Sequence, residues 1–152
     1  MHPPEATMFR HLLIATDGSE LAQKAVDQGL DLAKELGAKV TAITVSEPLA
    51  SMVAGRPVYP TQIEEYEQAM ASNANSILAP VCEAARAKAV ACEGVYLKDQ
   101  YPAEGIIETA NARGCDLIVM ASHGRRGVAR LLLGSQASKV LTYSSIPVLI
   151  CR

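Results

Sequence analysis

At 152 residues, 49% hydrophobic and 20% charged, the chain has enough apolar material for one self-supporting core and too much for a disordered segment. Its formal charge of −2 gives no electrostatic basis for gripping nucleic acid or an anionic membrane. No apolar run reaches the ~18 residues of a membrane span, and the leading MHPPEATM lacks the apolar stretch of a signal peptide. A cytoplasmic protein is therefore expected, one domain over residues 1–152 with a flexible N-terminus at 1–8. Four cysteines, at 82, 92, 115 and 151, form no C-x-x-C pair, which argues against a zinc or thioredoxin-type site. Cys115 opens an apolar run and Cys151 closes one, so both read as buried, reduced thiols.

Phe9 to Thr16 is apolar and ends in Asp17-Gly18-Ser19, as a buried strand and its exit turn should. From Ser19 to Leu36 the apolar residues recur at helical spacing, and Gly37 follows as a stop. Lys39 to Ser46 is rich in β-branched residues and predicts a second strand. Glu47 to Thr61, with Pro48, Gly55, Pro57 and Pro60, predicts a loop. A long helical segment runs from Gln62 to Lys88, kinked or divided at Pro80. Ala91 to Lys98 predicts a third strand, and Pro102 opens a helix ending near Gly114. Asp116 to Met120 is the fourth strand, Gly134 to Ser144 a helix, and Pro147 to Cys151 a short fifth strand.

Strands alternating with helices imply an α/β fold: an open five-stranded parallel sheet with right-handed crossovers and helices on both faces. The strand order expected of it is the Rossmann-like 3-2-1-4-5, which the alternation alone does not prove. In such sheets ligands bind past the carboxyl ends of strands, where the strand order reverses. If strands one and four are neighbours there, Thr16-Asp17 and Ala121-Ser122-His123-Gly124 line one crevice. Asp17 or Ser19 also suits helix capping, and Asp17 and Glu20 have capping-box spacing. The glycine-flanked turn at 121–124 is followed, after nine residues, by Gly134-Ser135 at a helix start. Backbone can approach an anion there without side chains intervening, and helical N–H groups point at it. Neither the P-loop G-x-x-x-x-G-K-[ST] nor the dinucleotide G-x-G-x-x-G is present, so backbone N–H groups and hydroxyls must do the binding.

The segments Ala15-Thr-Asp-Gly-Ser19, Ser122-His-Gly124, Leu131-Leu-Leu-Gly-Ser135 and Pro147-Val-Leu-Ile150 resemble the universal stress protein family, from about Phe9 to Cys151. Its ATP-binding members share G-x-x-G-(nine residues)-G-[ST], which falls here on Ala121, Gly124, Gly134 and Ser135. Ala121 departs from that pattern by one methyl. The resemblance implies ATP as ligand, with Mg²⁺ or Mn²⁺ as an optional companion ion. It places Asp17 on the nucleoside, Ala15 beside the adenine and backbone groups of Val45 on the base edge. Met120 and Ala121 would border the sugar, and Gly124, Gly134, Ser135 and Gln136 would hold the phosphates. Thr16, Ser122, His123 and Arg125 complete the implied lining. The resemblance also implies a homodimer paired through the last strand.

His123 reads either as a base or ligand or, more simply, as a structural residue. Arg125, Arg126 and Arg130 suit either a triphosphate or a solvated loop. Glu64-Glu65-Tyr66-Glu67 reads as an exposed helix face. No nucleophile–base pair or carboxylate dyad is evident, so a binding role is expected rather than catalysis. Three readings stand: an ATP-binding dimeric stress-response switch acting on a protein partner of unknown identity, a dimer of the same fold that binds no nucleotide, and a slow ATPase.

Overall fold

Leu12, Leu13 and Ile14 follow one another in the first strand and all are fully buried, so that strand must be covered on both faces. A computed structural model describes residues 8–124 and 133–152 and shows how this is done. Strand β1 (His11–Ala15) lies at the centre, between β2 (Lys39–Val45) and β4 (Leu117–Ala121). Strands β3 (Cys92–Leu97) and β5 (Val148–Cys151) form the edges, giving the all-parallel order β3-β2-β1-β4-β5. The fold class and strand order are those expected.

Alternate strand residues feed two separate cores. On one face Leu12, Ile14, Val40, Leu117 and Val119 pack against helices α1 (Glu20–Leu36) and α3 (Pro60–Ala87). On the other, Leu13, Ile43, Ile118 and Met120 pack against α4 (Pro102–Ala112) and α5 (Ser135–Tyr143). Each fully buried aliphatic side chain contributes about 1.5–3 kcal/mol, so these layers dominate the stability. Gly29 lets α1 close onto the sheet, since a methyl there would lie 2.6 Å from Ile14 Cδ1.

Several boundaries differ from those read in the sequence, each for a local reason. Ser19 rather than Asp17 is the N-cap of α1, accepting from the Ala22 N–H at 3.2 Å. The Asp17–Glu20 capping box is therefore not formed. The expected 47–61 loop contains a short helix, α2 (Leu49–Met52), and α3 starts at Pro60, whose missing N–H costs nothing in a first helical turn. Pro80 does not divide α3; it sits exposed within one helix of 28 residues, anchored on either side by buried Leu78 and Val81. Asp116 just precedes β4; its N–H donates to the His11 carbonyl at 2.9 Å while its carboxylate accepts from the backbone N–H groups of Arg10 (2.8 and 3.1 Å) and His11 (3.0 Å). At the other end β4 runs one residue further than expected, because Ala121 pairs with Cys151. The flexible N-terminus read at 1–8 lies, apart from exposed Met8, outside the described residues.

Candidate functional site

The chain leaves β1 toward β2 and β3, then returns across the sheet to β4, so the gap between β1 and β4 opens where the connections diverge. The exit from β1 is tightly built. Thr16 N–H donates to the Ile43 carbonyl at 3.0 Å, Thr16 Oγ1 accepts from Gly18 N–H at 3.1 Å, and Asp17 Oδ1 accepts from Ser19 N–H at 2.9 Å. Asp17 is thus fixed at the rim of the gap by the turn that starts α1.

The exit from β4 comes to meet it. A methyl placed on Gly124 would lie 2.6 Å from Asp17 Oδ2, so any side chain there would displace the carboxylate. Gly134 is confined as closely. Its N–H donates to the Ser122 carbonyl at 2.7 Å, and a methyl on it would lie 2.9 Å from that oxygen and 3.3 Å from His123 Cα. Its φ of −63° is open to any residue, so glycine is needed here for space rather than for conformation. The contact seats the start of α5 directly on the turn after β4. Gly134 is also the N-cap of α5 and offers no side-chain oxygen to the helix's first N–H groups.

Between these turns lies a cleft of about 530 Å³, within the range typical of small-molecule sites. Ala15, Thr16 and Asp17 line it from β1, Val45 from β2, and Met120 and Ala121 from β4. Ser122, His123, Gly124, Gly134, Ser135 and Gln136 complete that wall. The structure therefore brings together all the residues singled out in the sequence except Arg125, which with Arg126 and Arg130 lies outside the described residues. Ala121 belongs to the buried cluster under α1 and α3, where Ile14, Val119 and Cys151 also lie. It is not among the residues with positive φ, so the position makes no demand that only glycine meets.

Two placements refine the roles read from sequence. Gln136 Oε1 accepts from the Ala103 N–H at 3.0 Å and so serves the first turn of α4. Ser122 is buried, and its Oγ lies 3.1 Å from His123 Nδ1, a serine–histidine contact that sequence reading did not single out. Among the described residues no group of three or more His, Cys, Asp or Glu side chains is placed to hold a metal ion.

The opposite wall went unread in the sequence. Tyr66, Met70, Asn73 and Ile77 of α3 line the cleft at spacings of four, three and four residues. That is one helical stripe, indistinguishable in sequence from an ordinary core-facing one. Tyr66 is half-buried, not part of a bare solvent face; its hydroxyl donates to the Glu47 carbonyl at 2.7 Å and lies 3.3 Å from Met52 Sδ. Burial, with Tyr96, Glu47 and Asp99 nearby, raises the Tyr66 pKa and keeps the phenol a donor. Tyr96 of β3 meets Ser46 Oγ at 2.7 Å. The segment after β2 is thereby tied to α3 and β3 and forms a wall of the cleft.

Residues 8–152 match the family model described as the universal stress protein family. The chain is 34% identical over 149 residues to universal stress protein YxiE of Bacillus subtilis, covering 95% of this chain and 100% of that protein. Among solved structures it resembles universal stress protein UspA from Lactobacillus plantarum, with a TM-score of 0.80 at 21% identity over 95% of this chain and 98% of that one. It also resembles the universal stress protein from Archaeoglobus fulgidus solved in complex with dAMP, with a TM-score of 0.63 at 17% identity over 95% and 99% of the two chains.

Proposed function

The chain belongs to the universal stress protein family, and we propose that it binds an adenine nucleotide, ATP in the first instance, in the cleft between β1 and β4. One observation carries the proposal: an α5 N-terminus capped by glycine, held by Gly134 against the Ser122 carbonyl, stands across the gap from Asp17. A helix start whose cap residue offers no side-chain oxygen favours an anion. The phosphates would lie at Ser135 and Gln136, where the hydroxyl and the amide NH₂ add donors. The nucleoside would lie toward Asp17, with its base near Ala15 and the Val45 backbone. Apolar Met70 and Ile77 cover the far side of the same cleft. The dAMP complex of a structural relative supports an adenine nucleotide as the ligand class. Mg²⁺ or Mn²⁺, if it accompanies ATP, would be held chiefly by the phosphates.

The role we assign is binding and switching in the cytoplasm rather than turnover. Pairing of two copies through β5 completes the proposal: Leu149 on that edge strand is exposed, as are Leu141 and Tyr143 on α5, and an uncovered apolar edge invites a partner strand. Titration calorimetry of the nucleotide-free chain tests the binding. Saturable heat with ATP, weakened at least tenfold by Asp17→Ala, is expected; absence of heat at millimolar ATP refutes it. A second reading, a dimer of this fold that binds no nucleotide, is favoured by the steric need for Gly134, which explains that glycine without any ligand.

A further inference from the structure

Two thiols outside the cleft meet where α3 packs on the edge strand β3. Cys82 Sγ, on α3, lies 3.7 Å from Cys92 Sγ, at the first residue of β3. Both are half-buried, whereas Cys115 and Cys151 are buried. The chain between them is held by its own turn: Val90 N–H donates to the Ala85 carbonyl at 2.8 Å, Ala89 N–H to the Arg86 carbonyl at 3.0 Å, and Ala89 takes a φ of 58°. The two sulfurs are thus presented to each other by ordered backbone. Gly94 is two residues beyond Cys92 and on the same side of the strand. A methyl there would sit 3.5 Å from Cys82 Sγ, in ordinary contact, so the strand runs directly beneath that sulfur. Closing the gap to a bonded length of about 2.05 Å needs a side-chain rotation and a small shift of two elements already in contact.

We propose that Cys82 and Cys92 are a modification site, a dithiol that a peroxide oxidises reversibly to an intramolecular disulfide joining α3 to β3. Burial, then the neighbouring Cys82, pushes the Cys92 thiol up to about 12, and at 3.7 Å each sulfur is within reach of the other, so the balance is the same whichever is oxidised first. Where Cys82 goes first, its thiolate attacks one peroxide oxygen; the O–O bond breaks and the departing hydroxide is protonated to water, leaving a sulfenic acid. Cys92 sulfur then attacks Cys82 sulfur. The S–O bond breaks, and the leaving hydroxide takes up the Cys92 thiol proton as a second water. Two thiols and one peroxide thus give one disulfide and two waters, with two electrons passing from sulfur to oxygen. A dithiol reductant reverses the change. The bond links the two elements that supply Tyr66 and Tyr96 to the cleft wall.

The test is intact-mass measurement and peptide mapping of the native chain after hydrogen peroxide treatment. Loss of two hydrogens, a Cys82–Cys92 linked peptide, and a Tm higher by roughly 5 °C that falls back with dithiothreitol are expected. Cys82→Ser and Cys92→Ser should each abolish the loss of two hydrogens. Oxygen addition without a crosslink, a disulfide to Cys115 or Cys151, or one between chains overturns the proposal. The mapping is made on the unmodified sequence, so the result does not depend on either variant folding.

Discussion

At the N-terminal end of the sheet the polar groups are answered from within the chain. The Asp116 carboxylate takes the Arg10 and His11 N–H groups, and His11 Nε2 lies 2.7 Å from Thr41 Oγ1. Burial lowers the His11 pKa, so the ring sits there neutral, while burial raises the Cys115 thiol to about 11 and keeps it protonated. At the C-terminal end the same strands finish in turns that approach one another through Gly124 and Gly134, and α5 begins with no side-chain cap. Five strands therefore carry two kinds of end. The closed one contributes to stability; the open one presents a concave surface, and the nucleotide proposal rests on it.

Substitutions should separate the two. Asp116→Ala strips the acceptor from two backbone N–H groups and is expected to cost about 2 kcal/mol, lowering Tm by roughly 4–8 °C. Nucleotide affinity, measured well below that Tm, should be unchanged. A loss of affinity as large as that from Asp17→Ala would mean the two ends are not independent. The smallest effect belongs to Ala121→Gly. The Ala121 methyl is part of the buried α1–α3 core, so removing it should cost roughly 1 kcal/mol of stability. Affinity should shift less than about twofold. A gain of tenfold would place that methyl in the ligand's way and sharpen the cleft's description accordingly.

Ala121 also shows what could be read in advance. The apolar runs and their glycine-rich exits are local signals that mark the strands, whereas the β1–β4 gap depends on a long-range pairing, Leu12 with Leu117 through Ile14 with Val119, that no local signal carries. The local sequence puts Ala121 itself in a turn, where glycine's freedom counts. Its pairing with Cys151, thirty residues on, makes it a strand residue, and no local signal carries that. The α3 wall was hidden for the same reason. Tyr66, Met70 and Asn73 form a stripe like any other until the segment after β2 folds back to Tyr66. The resemblance puts Gln136 at the phosphates; that its carbonyl oxygen serves α4, leaving the amide NH₂ as the donor, depends on a neighbour that topology alone supplies.

The most direct measurement is an ATP titration of the isotope-labelled protein followed by backbone amide chemical shifts. Saturable changes are expected at Thr16 to Gly18, Val45, Ser122 to Gly124 and Ser135 to Ala137. Arg10, His11, Thr41 and Asp116 should stay still. Shifts confined to the N-terminal end, or none at millimolar ATP, would contradict the account.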